Sequence, residues 1–271
     1  MKVRICTAIV GIIAVLVLVW LGSWPFTAAC VAAGIISFRE YARMMKEIDV
    51  HTFSKSAYAA IIIMLCASGF YSVPVFFAAV CLCFIVMFMI CLRVQFQQMQ
   101  DLFYTILGTL YVGIGLGSLV LLRGGSHLIP SGVEKLDPGI FLILFALIGT
   151  WASDSFAYFA GKKFGKTHMA PHISPKKTLE GLIGGAAGAI ICCILFSVYA
   201  GYPVIYGGIL GIVLSIVAPI GDLFESYMKR VCGIKDSGNL LPGHGGMLDR
   251  FDSMYFVAPV MVSLLVLIHQ L

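Results

Sequence analysis

Residues 73–91, VPVFFAAVCLCFIVMFMIC, contain no charged side chain. A spanning helix needs about 20 mostly apolar residues to cross roughly 30 Å of hydrocarbon, so a run of this kind points to a membrane. Inside lipid each backbone amide must be paired within its own segment, which selects helix over an open strand. The apolar runs are unbroken rather than alternating, and this points the same way. Nine such segments can be counted, at 5–21, 25–38, 57–71, 73–92, 102–122, 139–160, 180–200, 203–221 and 253–270. The second and third are short, and each also suits one arm of a half-buried hairpin. Composition agrees, with 60% of residues hydrophobic and 11% charged, where soluble domains carry about 25% charge. The expectation is an all-α polytopic membrane protein of about nine transmembrane helices. It forms a single integral membrane domain over 1–271, with motif-poor helices in 1–135 and a catalytic core in 150–260.

Lys2 and Arg4 before the first apolar run resemble a signal peptide, but the run is long and a second segment follows at once, so a retained helix is expected. Eight of the nine cysteines lie in apolar runs, where cysteine acts as a small hydrophobe, and only Cys232 lies in a polar loop. No disulfide framework is expected. Nine crossings put the N-terminus and the loops after the second, fourth, sixth and eighth segments on one side. That side holds sixteen of the eighteen Lys and Arg residues, leaving Arg123 and Lys135 opposite. The positive-inside rule makes it cytoplasmic, with the C-terminus outside. The expected location is the cell (inner) membrane. A net charge of +5 follows from this asymmetry and calls for no nucleic-acid partner. The glycine patterns GLIGGAAG (181–188) and GIGLG (113–117) lie within apolar runs, where small residues let helices approach closely, so packing is their expected role.

Acidic groups in membrane helices cost ~2.5–3.5 kcal/mol at mid-bilayer and usually mark function. Asp154 and Asp222 both lie towards the cytoplasmic ends of their segments, at about 1.5 Å per residue. Asp222, Glu225, Ser226 and Lys229 fall at i, i+3, i+4 and i+7, one stripe of a helix continuing past the membrane surface. The stripe could hold a metal and a phosphate, or form an amphipathic helix end with its own ion pairs. Beyond it, residues 226–252 hold four cations, three aspartates, a histidine and five glycines. The glycines allow sharp turns that expose N–H groups to an anion. His244, flanked by two of them, can donate to a phosphate or cap a turn. The segment LDRFD then opens the ninth helix, with Asp249 and Asp252 either as ligands or as a cap and a first-turn acid. Hard carboxylate oxygens with phosphate co-ligands suit Mg²⁺. A second polar stretch, 153–181, adds Lys162, Lys163, Lys166, Lys176 and Lys177 with Ser174 and Glu180. Its GKKFGKT lacks the spacing of a phosphate loop. A basic patch for anionic headgroups is the simpler reading, and it is compatible with a lipid-phosphate substrate.

SYMKRVCGIKDSGNLLPGHGGMLDRFD (226–252) resembles the signature of the phosphatidate cytidylyltransferases, or CDP-diacylglycerol synthases. The matching residues are Ser226, Lys229, Arg230, Lys235, Asp236, Pro242, His244, Gly245, Gly246, Asp249, Arg250 and Asp252. GDLFES (221–226), SPKKTLEG (174–181) and SDSFAYFAGKKFGK also resemble family motifs, so the likeness covers about the last 120 residues. FREYARM (38–44) is a weaker hint.

The resemblance implies transfer of CMP from CTP to phosphatidate, giving CDP-diacylglycerol and pyrophosphate for phospholipid biosynthesis. The partners are then CTP, phosphatidate and the bilayer, and a homodimer is allowed. The family is associated with Mg²⁺, with room for a second, monovalent cation such as K⁺. Asp222 and Asp249 are the leading metal ligands, ahead of Asp252, Asp154 and Glu225. Lys229, Arg230, Lys235 and Arg250 would bind phosphates, with Lys176 and Lys177 at the headgroup or triphosphate. Ser174, Ser226 and Asp236 would line the substrate site, and His244, Gly245 and Gly246 would shape it. A lipid phosphomonoester is largely ionised, with a second pKa near ~6, so no general base is needed. Catalysis then reduces to positioning and charge neutralisation. A CTP-dependent polyprenol or other lipid kinase would use similar parts and release CDP. An ion-coupled transporter would place its ionisable groups near the midplane with repeat symmetry, and this sequence shows neither.

Overall fold

The computed structural model describes every residue except 1, 93–98, 126–127, 130–134, 239–244 and 271; at 2–8, 91 and 269–270 it describes the backbone alone. Helices α1 (Lys2–Leu21), α2 (Ser23–Lys46), α3 (Ser54–Ser68), α4 (Val73–Cys91) and α5 (Met99–Arg123) come first. After α6 (Pro138–Phe164) the chain forms a hairpin of β1 (His168–Ala170) and β2 (Ser174–Thr178). Then follow α7 (Leu179–Ala200), α8 (Val204–Val231), the single turn α9 (Leu248–Phe251) and α10 (Met254–Gln270). Helices therefore occupy all nine expected positions. Among the described residues six stretches are long and apolar enough to cross a membrane: α4 through α8, and Leu248–Ile268. The apolar part of α1 (Ile9–Leu21) and α3 are shorter.

Three local departures have physical causes. The second helix runs eight residues beyond the expected 38, to Lys46, because Tyr41, Met44 and Met45 continue its buried stripe while Arg39, Arg43 and Lys46 point outward. The antiparallel hairpin was not expected, and it makes the fold slightly less than all-α. With only two strands both are edges, so Pro175 can sit in β2 without breaking a ladder. The segment LDRFD does not open the last helix as expected. It makes its own turn, and the helix restarts after a break at Asp252 and Ser253.

The chain divides into two compact units. The first comprises residues up to Gly124 together with Met228–Phe251. In it α2, α3 and α5 pack around Phe38, Tyr41, Ile61, Met64, Leu65, Leu102 and Leu116. Gly113 lies against Met64 and Gly117 against Phe76, the packing role expected of GIGLG. By contrast α4, with no charged residue, has only 17% of its span buried, and Phe77, Leu82, Phe84, Ile85 and Met89 point outward. An apolar surface of that kind suits lipid and not water.

The second unit comprises Gly125–Tyr227 and Asp252–Leu271. Its best-packed pair is α6 with α7. Asp137 caps α6 by accepting from Ile140 N–H at 3.1 Å, with Pro138 at the first helical position. Thr178 caps α7 by accepting from Gly181 N–H at 3.2 Å. A side chain on Gly181 would lie 2.9 Å from the Ala157 carbonyl, and one on Gly185 would lie 2.7 Å from that of Ser153. GLIGGAAG is thus a packing face, as expected.

Candidate active site

The described candidate residues fall into two groups, one in each unit. In the second unit, Asp154 in the C-terminal half of α6 and Asp222 on α8 are close enough to interact electrostatically, and Lys177 on β2 acts on Asp154 as well. Lys177 Nζ lies 2.7 Å from Asp222 Oδ2, with the two side chains 27% and 30% exposed. Ser226, one turn on, donates weakly to Asp222 Oδ1 at 3.4 Å. On β2 Lys177 is partly buried against this pair, while Pro175 and Lys176 before it are exposed. Ser174 begins the same strand, half-buried. Gly221 has no room for a side chain, because a Cβ there would lie 2.7 Å from the Asp252 carbonyl oxygen. The break before α10 therefore abuts α8 next to Asp222, and Ser253 Oγ–H donates to the Ala218 carbonyl at 3.1 Å. Glu225 is fully buried in α8.

The first unit gathers the end of α8, the following loop and α9. Lys229 Nζ lies 2.7 Å from Asp249 Oδ1, with the side chains 12% and 7% exposed. Asp249 Oδ2 accepts from Gly246 N–H (2.8 Å), Ser237 N–H (3.0 Å) and Ser237 Oγ–H (2.9 Å). Gly245 has φ +83, a left-handed conformation that favours glycine, and a Cβ there would lie 2.6 Å from Asp249 Oδ2. Arg230 donates to the Ile234 carbonyl at 3.1 Å, at the turn closing α8. Lys235, Asp236 and Arg250 are exposed. His244 and Pro242 lie outside the described residues. Cys232 is 5% exposed despite its polar neighbourhood, and burial first, then the Glu47 charge, pushes its thiol up.

Sequence reasoning missed Glu40 and Ser237. Glu40, on α2, is 4% exposed and accepts from Met247 N–H (3.0 Å, Oε1) and Leu248 N–H (2.8 Å, Oε2). It therefore supplies the carboxylate at the start of α9. The loop amides of Ser237, Gly246, Met247 and Leu248 donate to two carboxylates of the protein itself, Asp249 and Glu40. The signal was present, since Glu40 is an acid just beyond an apolar run, the criterion that picked out Asp154 and Asp222. Ser237 gave no signal.

Among the described residues no three His, Cys, Asp or Glu side chains gather as a metal cage. Mg²⁺ does not require one, since it is usually held by one or two carboxylates plus substrate phosphates and water. The Asp154–Asp222 pair fits that donor set, and a lysine ammonium at 2.7 Å already places positive charge on Asp222 and on Asp249.

Acidic groups within and between the helices, lysines on their carboxylates and a glycine-rich loop between charged helices are features of an enzyme handling phosphates beside a membrane. The chain matches the Cytidylyltransferase family over residues 2–268, and it belongs to that family. It is 33% identical to a phosphatidate cytidylyltransferase of Synechocystis, covering 98% of this chain and 96% of that one. It is 34% identical to proteins of the same name from Bacillus subtilis, covering 98% of both chains, and Staphylococcus aureus, covering 98% of this chain and 99% of that one.

Proposed function

We propose that this protein is an integral membrane enzyme that transfers CMP from CTP to phosphatidate, giving CDP-diacylglycerol and pyrophosphate. The observation that carries this is the near-complete alignment with relatives named for that reaction. The ionised phosphate of phosphatidate attacks the α-phosphorus of CTP, and the bond to the β-phosphate oxygen breaks. No residue need remove a proton. The task left to the protein is to hold two anions together and neutralise the charge developing on the leaving pyrophosphate.

In this reading Asp222 and Asp249 are the leading Mg²⁺ ligands, ahead of Asp252, Asp154 and Glu225. A monovalent ion such as K⁺ and a homodimer belong to the same proposal. The metal would supply Lewis-acid charge to the phosphates. Lys177 and Lys229, each on an aspartate, are placed to pass their ammonium groups to substrate phosphates. Arg230, Lys235, Arg250 and Lys176 add positive charge, with Ser174, Ser226, Asp236, His244, Gly245 and Gly246 lining the substrate site. The sixteen-to-two charge asymmetry supports nine crossings in the inner membrane, with these loops cytoplasmic and the C-terminus outside.

The reaction is tested with CTP labelled at the α- or the γ-phosphorus, incubated with phosphatidate and Mg²⁺. Label should enter lipid from the α position alone, and chelation should stop it. Lipid labelled from the γ position would make the protein a kinase. For topology, Lys235→Cys in a cysteine-free background should resist an impermeant thiol reagent in intact cells and react after lysis. Labelling before lysis would invert the orientation.

A further inference from the structure

We infer that Glu40 is a positioning residue for this reaction, holding the signature loop in the form that presents Lys229 and Asp249. The inference rests on the cytidylyltransferase reading, and it concerns a residue 207 and 208 positions away in sequence from the two amides it grips.

Both Glu40 oxygens are in use. Oε1 accepts from Met247 N–H, while Oε2 accepts from Leu248 N–H and lies 3.5 Å from Ser237 Oγ. Ser237 Oγ–H is closer to Asp249 Oδ2, at 2.9 Å, so this hydroxyl stands between the two carboxylates. The loop is shaped to admit Glu40. A Cβ on Gly238 would lie 2.6 Å from its Oε1, and one on Gly246 would lie 2.5 Å from its Oε2. Two of the loop's glycines are therefore there because a carboxylate occupies the space a side chain would take. Gly246 meanwhile donates its N–H to Asp249. One face of the same short segment is thus fixed by Glu40 and the other by Asp249. Asp249 holds Lys229 on its remaining oxygen. Moving the loop off Glu40 moves the donors that orient Asp249.

The carboxylate is specifically required, because two oxygens must both accept. A glutamine has one acceptor, and its NH₂ would face a backbone N–H. Glu40→Gln is therefore close to the same volume but mismatched to the loop. Two measurements on this variant in detergent test the inference. Hydrogen exchange at Met247 and Leu248 should speed up, while α2, α3 and α5 keep their protection. Turnover should fall about a hundredfold, the effect of a small misplacement at a reacting centre, with the KM for CTP changing far less. Unchanged exchange at 247–248 would overturn the inference, as would faster exchange with normal turnover. Loss of protection throughout the helices would reduce Glu40 to general stability and overturn it too. Should Glu40→Gln fail to fold, Gly246→Ala decides, since it drives a methyl group into the carboxylate from the loop side and should give the same pattern. A wild-type protein that makes no CDP-diacylglycerol would sink the cytidylyltransferase reading alone, and the exchange comparison would still decide whether Glu40 holds the loop.

Discussion

Two lysine–aspartate pairs carry the candidate chemistry, and both close to 2.7 Å. Lys229–Asp249 is nearly enclosed, with side chains 12% and 7% exposed, while Lys177–Asp222 is 27% and 30% exposed. Asp249 accepts further from Gly246 N–H, Ser237 N–H and Ser237 Oγ–H within 3.0 Å. Among the described residues Asp222 has, besides Lys177, a 3.4 Å contact from Ser226, with the Asp154 carboxylate in electrostatic reach. Equal lengths therefore conceal different work. An enclosed, fully engaged carboxylate organises the backbone around it, and removing one partner of such a pair is costly. The Lys177–Asp222 pair is the less enclosed of the two, although the Lys177 nitrogen itself is buried, and a partly exposed pair contributes less to stability than an enclosed one. Asp222 is thus the less firmly held of the two carboxylates, and Asp249 the more firmly held.

The largest effects should come from the aspartates. Asp222→Asn and Asp249→Asn should each lower turnover by about a thousandfold or more, corresponding to about 4 kcal/mol of lost charge stabilisation. The two should part company in stability. Asp249→Asn turns an NH₂ towards donors that needed an acceptor, costing about 1–3 kcal/mol. Asp222→Asn should stay within about 1 kcal/mol of wild type. Thermal midpoints in one detergent, beside turnover, make the comparison. Equal destabilisation would erase the distinction, and near-normal turnover for Asp249→Asn would leave that residue as an anchor only.

The lysines come next. Lys229→Met strips the ammonium from an aspartate 7% exposed and should destabilise the protein by about 3 kcal/mol. Lys177→Met should leave the thermal midpoint nearly unchanged and lower turnover about a hundredfold, as expected for a group that acts on transition-state charge. A large stability loss in Lys177→Met would mean that the less enclosed pair is structural after all.

How much of this was legible in the sequence depended on periodicity and charge. Helices stood at all nine apolar runs because lipid allows few alternatives. The stripe through Asp222 and Ser226 was readable because helical spacing is regular, and α8 does continue to Val231. The hairpin at 168–178 was not readable, since HMA and SPKKT are too short to show alternation. Glu40 was invisible as a partner of Leu248 because nothing in a one-dimensional pattern couples residues so far apart. The split of LDRFD from the last helix escaped for a related reason, since Gly221 has to be seen against the Asp252 carbonyl to explain it.

The smallest effect concerns the serine beside each aspartate, and it isolates the difference between the pairs without touching a charge. Ser237 donates twice to Asp249 Oδ2, through its amide at 3.0 Å and its hydroxyl at 2.9 Å. Ser237→Ala keeps the first and loses the second, leaving a nearly buried carboxylate one donor short, which should cost about 1–1.5 kcal/mol. Ser226 reaches Asp222 only at 3.4 Å, beyond the usual range for a firm hydroxyl bond, and water can replace it at a carboxylate 30% exposed. Ser226→Ala should therefore change stability by less than about 0.5 kcal/mol. Side-by-side thermal unfolding of the two alanine variants measures this directly. Equal losses, or a larger loss at Ser226, would mean that exposure does not set the difference between the two aspartates.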